Sequence, residues 1–132
     1  MERGERLRKR GAPEYHVIMT ELALRYRPVG ITDKDREEAW RRLLEFSESP
    51  TITVQVIPAD APMRQAPMCA FLMTEFRDAT EAAIVQVELP AVEMTFSGVD
   101  DLASFEIAWQ RFADAALDSQ QSKKLVVGLL RA

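Results

Sequence analysis

The stretch Thr51-Ile-Thr-Val-Gln-Val-Ile-Pro58 alternates strictly, and it limits the fold more than any other part of the chain. Ile52, Val54 and Val56 project to one side, while Thr53, Gln55 and Ile57 project to the other, as a strand of period two requires. Its β-branched residues suit a pleated, packed surface, and Pro58 ends it because proline cannot donate to a ladder. A strand so apolar on one side needs further strands beside it and helices over it. Tyr15 to Thr20, Cys69 to Phe76 and Ala82 to Leu89 alternate in the same manner, and Val92 to Phe96 is a short fifth candidate. Arg77-Asp-Ala-Thr80 reads as one of the longer hairpin connections.

Helical spacing fills the intervals. Glu21 to Arg25 is long enough for one turn. Thr32 reads as an N-cap, with Asp33 and Asp35 in the first turn where the helix dipole favours negative charge. Trp40, Leu43 and Leu44 then share a face, and Glu48-Ser-Pro50 stops the helix. Near the C-terminus, Asp100 or Asp101 is read as the cap of a helix carrying the stripe Leu102, Phe105, Trp109, Phe112 and Ala116. A last helix starts at Asp118 or Ser119. The expected fold is α+β, with a mostly antiparallel sheet of four or five strands and helices packed on one face, two of them C-terminal. Residues 1–12 read as a charged segment and 13–132 as one domain, the usual outcome for 132 residues.

Laid side by side as one sheet, the strands separate two faces. Tyr15, Val17, Met19, Ile52, Val54, Val56, Phe71, Met73, Val85 and Val87 form an apolar face that needs cover. The opposite face mixes Ile18, Leu72 and Ile84 with Gln55, Thr74 and Gln86 and carries almost no charge. That composition suits a pocket wall, a subunit interface or ordinary cover by a helix. The candidate ligand-binding residues are therefore Gln55, Leu72, Thr74, Ile84 and Gln86, with Met63 and Met68 from the loop after Pro58 as an adaptable lid. The commoner role of loop methionines is to fill a gap over the core.

Composition removes several chemistries. The chain has one cysteine, Cys69, and one histidine, His16, so neither a disulfide framework nor a zinc site of several Cys and His is available within it. Five glycines leave little material for a phosphate loop. No metal or cofactor is expected. No apolar run reaches the roughly 18 residues of a membrane span. The charged start has no apolar segment behind it, so the reading is a cytoplasmic protein without a secretory signal.

The motifs Arg8-Lys-Arg-Gly-Ala-Pro-Glu-Tyr-His-Val-Ile-Met-Thr-Glu21, Leu24-Arg-Tyr-Arg-Pro-Val-Gly30, Leu43-Leu44, Ile52-Thr-Val-Gln-Val-Ile-Pro58, Phe71-Leu-Met-Thr-Glu-Phe76, Val87-Glu88 and Phe112-Ala-Asp-Ala-Ala-Leu-Asp-Ser-Gln-Gln-Ser122 run in a familiar order. In them the chain resembles the C-terminal domain of unknown function that follows an Xre-type helix-turn-helix in antitoxin-like regulators of filamentous bacteria. The resemblance implies a non-DNA-binding half that receives a small molecule or a small partner protein. No helix-turn-helix precedes the domain in this sequence, and the loop after Pro58 lacks the family's glycines. The expectation is a stand-alone ligand- or partner-binding domain, with a homodimer as a further arrangement. The alternative is a fold recruited as a cofactor-independent cyclase for an apolar, polyketide-type substrate, because such a reaction needs a shaped dry cavity more than a nucleophile.

Specific nucleic-acid binding is not expected from a chain of net charge -4 with no recognition helix. A gel-shift titration should show at most weak, salt-sensitive binding through the basic N-terminal residues. Sequence-selective, sub-micromolar binding at physiological salt would contradict this.

Overall fold

The computed structural model describes residues 13–62, 70–78 and 80–132. Five strands and four helices follow in the order β1 (Tyr15–Thr20), α1 (Glu21–Arg25), α2 (Asp33–Ser47), β2 (Ile52–Ile57), β3 (Phe71–Thr74), β4 (Ile84–Glu88), β5 (Glu93–Phe96), α3 (Val99–Ala115) and α4 (Ser119–Arg131). The α+β class, the antiparallel majority among the strands and the two C-terminal helices are as the sequence predicts. The strands divide between two sheets, however, so Val54 and Phe71, expected on one face, lie in different sheets. The chain forms two compact units, one within Met1–Ala61 and Ala115–Ala132, the other within Pro62–Asp114.

The first unit is a βαβ arrangement. β1 pairs with β2 in parallel, Tyr15 opposite Ile52 through Thr20 opposite Ile57. A parallel return needs a long crossover, and the chain between the two strands supplies one with α1 and α2. Thr32 caps α2 as read from the sequence: its Oγ1 accepts from Asp35 N–H at 3.1 Å, and Asp35 Oδ2 accepts from Thr32 N–H at 2.8 Å. Asp118 caps α4 in the same reciprocal way with Gln121. The core joins Trp40 of α2, Val56 of β2, and Val126 and Leu129 of α4, with Met19, Leu24, Leu43 and Leu44 packed around them.

Val56 sits at the centre, with no exposed surface. Its backbone groups point away from β1 and are paired elsewhere. Val56 N–H donates to Ser122 Oγ at 2.9 Å, and Leu117 N–H donates to the Val56 carbonyl at 2.9 Å. β2 therefore reads as an interior strand in its second half: Ile57, assigned to the mixed face by alternation, is buried along with Val54 and Val56.

The second unit is an antiparallel meander. β4 lies between β3 and β5, with Phe71 opposite Val87, Leu72 opposite Gln86, Val85 opposite Phe96 and Gln86 opposite Thr95. One face carries Phe71, Met73, Val85, Val87, Met94 and Phe96. α3 covers it through Phe105, whose ring centroid stands 5.2 Å from that of Phe71 and 5.3 Å from that of Phe96. Phe112 approaches Phe71 from the next turns at 6.3 Å. α3 begins at Val99, earlier than expected, so Asp100 and Asp101 lie inside its first turn instead of capping it. Their charge still favours the helix start. Ala116 falls beyond the end of α3.

Ser122→Ala removes the acceptor for a buried backbone N–H. It should lower stability by about 1–3 kcal/mol in urea denaturation, the cost of leaving such a group unpaired. An unchanged midpoint would mean that Val56 N–H finds another partner.

Candidate functional site

The sequence-predicted site residues fall into three groups. Leu72, Thr74, Ile84 and Gln86 come together: Leu72 is opposite Gln86 and Thr74 is opposite Ile84, all four on the face of the β3–β5 sheet that turns away from the phenylalanine cluster. Gln55 belongs to the other sheet, in β2. Met63 and Met68 lie outside the described residues, as do Cys69 and the charged segment 1–12.

The β3–β5 face has a gradient of character. At one end stand Thr74 and Ile84, then Leu72, Gln86 and Thr95, and at the far end Glu88 opposite Glu93. Leu72 is 40% exposed, a large fraction for a leucine inside a strand. Gln86 Nε2 donates to Glu93 Oε1 at 3.0 Å, a diagonal cross-strand contact that leaves its carbonyl oxygen as an acceptor on the face.

Gln55 is committed at both ends of its amide. Nε2 donates to the Leu117 carbonyl at 3.1 Å, which orients Oε1 toward His16 Nε2 at 2.5 Å. An amide held from two directions ties β1, β2 and the turn into α4 together. His16, the one histidine, thereby meets a neutral acceptor and no nucleophile in this contact.

A second surface was not anticipated. Residues 22–31 run from α1 into the turn before α2. Leu22 and Tyr26 are 66% and 70% exposed, Val29 is fully exposed and Ile31 is exposed as well. Ile31 N–H donates to the Pro28 carbonyl at 3.1 Å, and Gly30 has φ of 89°, the left-handed conformation that the third residue of such a turn requires. The turn thus holds Val29 at its tip. A shallow, open depression of about 630 Å³ is lined by Arg27, Pro28, Val29, Gly30, Ile31, Thr32 and Asp33. Large apolar residues at five of these ten positions, Leu22, Leu24, Tyr26, Val29 and Ile31, were the available clue.

Polar contacts fix this shoulder to the core. α1 is too short to persist alone, and its last carbonyls are taken up from outside. Trp40 Nε1 donates to the Leu24 carbonyl at 3.0 Å, and Arg36 Nη1 donates to the Arg25 carbonyl at 2.9 Å. The Arg36 guanidinium also lies over the Trp40 ring, 4.9 Å from its centroid. Asp33 Oδ1 accepts from both Arg27 at 3.2 Å and Arg36 at 3.5 Å. At the base of α1, Glu21 accepts from Arg25 Nε at 2.6 Å and from Ala59 N–H at 3.1 Å, bridging α1 to the end of β2. These bonds, that to Arg25 first, hold the Glu21 carboxyl below its ordinary value.

Together these features describe an α+β domain with partly apolar surfaces and, among the described residues, no cluster of three or more His, Cys, Asp or Glu placed to hold a metal and no helix long and apolar enough to cross a membrane. Residues 1–127 match the family model described as "Domain of unknown function (DUF5753)", and the chain belongs to that family. No curated protein and no solved structure matches it.

Because the folded state lowers the Glu21 pKa, Glu21 stabilises the fold above the ordinary glutamate range, and that contribution is lost as pH falls through the folded value. The melting temperature of Glu21→Gln should therefore lie below that of the parent at neutral pH and converge with it in acid. Parallel pH profiles would remove this assignment.

Proposed function

We propose that this chain is a ligand- or partner-receiving domain, similar to the non-DNA-binding half of an Xre-type bacterial regulator, with the outer face of the β3–β5 sheet as its contact surface. The observation that carries the reading is that Leu72, Thr74, Ile84 and Gln86 share one face, while the sheet's own core lies on the other. Apolar groups among neutral hydrogen-bonders recognise a partner through area and a few oriented bonds, without the cost of desolvating a charge. The occupant is a small apolar molecule or the apolar surface of a small partner protein. The alternative, a cofactor-independent cyclase for an apolar substrate, would use the same face and, like the receiving domain, the loop of Met63 and Met68, which lies outside the described residues.

The test has two arms. The purified chain is screened by thermal shift against apolar small molecules, and it is co-expressed with any small protein that a neighbouring gene encodes. Leu72→Asp should weaken any binding found by roughly tenfold or more while leaving the melting temperature close to that of the parent. Gln86→Ala should cost about 1–3 kcal/mol of binding where its carbonyl is buried in the complex. Arg41→Ala, on the exposed side of α2, should change nothing. Binding that is unaffected by Leu72→Asp would sink this face as the site.

A further inference from the structure

The shoulder of α1 and the turn before α2 belongs to the first unit, whereas the face proposed above belongs to the second. It needs its own account. Leu22, Tyr26, Val29 and Ile31 expose apolar surface within ten residues, a concentration that marks interaction sites on soluble domains. Within this stretch the turn forms a depression, open and shallow enough to take a side chain presented by another surface.

Charge decides what kind of surface. The chain as a whole carries net -4, yet residues 21–36 have Arg25, Arg27, Lys34 and Arg36 against Glu21, Asp33 and Asp35. Donors also outnumber acceptors at the depression. Arg27 and Arg36 converge on the same oxygen of Asp33, so one carboxylate oxygen serves two guanidinium groups. Arg36 Nε is buried with no acceptor among the described residues. Arg27 and Arg25 keep about half of their side-chain surface exposed, at 49% and 55%. A second carboxylate brought to the rim would meet the exposed part of Arg27, which shares its one acceptor with Arg36, and of Arg25, and guanidinium groups bind carboxylates well.

We propose that this shoulder is a docking surface for an acidic protein segment that carries a large apolar anchor. The anchor enters the depression beside Val29 and Ile31, and its flanking Asp or Glu side chains meet Arg27 and Arg25. The occupant is a protein segment and not an anionic membrane, because Glu21 and Asp33 stand among the cations and would be repelled by a continuous sheet of negative charge. The same two carboxylates disfavour a nucleic-acid backbone.

The experiment selects peptides from a displayed random library on the folded full-length chain, with an Arg27→Glu/Val29→Ser double variant as counter-selection. Selected peptides are then synthesised and titrated by fluorescence anisotropy. The expected sequences combine Asp or Glu with a Leu, Phe or Trp. Val29→Ser and Tyr26→Ser should each weaken them by roughly tenfold. Arg27→Glu should weaken them similarly, Arg27→Lys should restore part of the loss, and added salt should lower affinity. Leu72→Asp should leave them unaffected, which separates this surface from the β3–β5 face. All these side chains are exposed, and circular-dichroism melts of each variant identify any loss of fold. Selection of no binders, of basic or uncharged sequences, or of peptides indifferent to both Val29→Ser and Tyr26→Ser would overturn the proposal. So would Val29-dependent sedimentation with phosphatidylserine vesicles in the absence of peptide binding.

Discussion

A valine whose backbone has to be satisfied in the dry interior sets the plan of the first unit. Val56 is fully buried, and its N–H and carbonyl point away from β1. Neither group can be left unpaired without a penalty of the order of a lost hydrogen bond. The turn at Leu117 and the first turn of α4 supply both partners, so the end of the chain has to return to the strand formed near its middle. Ser122 is the one buried polar side chain among the described residues of the core, and this bond accounts for it. Once α4 is fixed there, Val126 and Leu129 meet Trp40, and the crossover helix α2 has its place.

A second polar set turns that core into a presented surface. Trp40 is buried, but its indole N–H reaches the Leu24 carbonyl, and Arg36 caps the next one. These two α2 side chains do for α1 what its five residues cannot do for themselves. The consequence is geometric. Leu24 turns inward to the core, while Leu22 and Tyr26 remain outside, and the Pro28–Ile31 turn follows with Val29 at its tip. The exposed apolar groups are thus on a stretch held by the Trp40 and Arg36 hydrogen bonds, which would lower the ordering cost of any binding there.

Alternation and capping residues made the elements legible. Tyr15 to Thr20 was delimited to the residue, Thr32 was recognisable as a cap, the start of the last helix was placed at Asp118 or Ser119, and the Phe105-Phe112 stripe identified the helix that covers β3–β5. A period of two assigns side chains to faces, but it does not say which strand lies beside which. Two helices between β1 and β2 permit a parallel return, and that pairing closes a sheet of its own. The candidate face was legible where one register governs it, as with Leu72, Thr74, Ile84 and Gln86. Gln55 resembles them by type, yet its partners come from 39 and 62 positions away, and no local pattern announces contacts of that range. The start of α3 was read late, because Asp100 and Asp101 suit a cap as well as the first turn in which they lie.

The same period of two gives the sheet of the second unit two sides of different character. Val85 is fully buried and Phe71, Phe96 and Phe105 pack beneath the sheet, whereas Leu72, Ile84 and Gln86 occupy the intervening positions on the opposite side. A change at one of the outer positions leaves the inner side chains in place, and a change at an inner position creates a cavity or a clash under the sheet. Packing and exposure are therefore divided between alternate residues of the same three strands. Outer residues are free to vary in size and hydrogen-bonding character at small cost to the fold. In the first unit no such separation exists, because Arg36 both holds α1 in place and contributes to the charge around Asp33. A change at Arg36 would therefore disturb the fold's own polar contacts together with the surface charge.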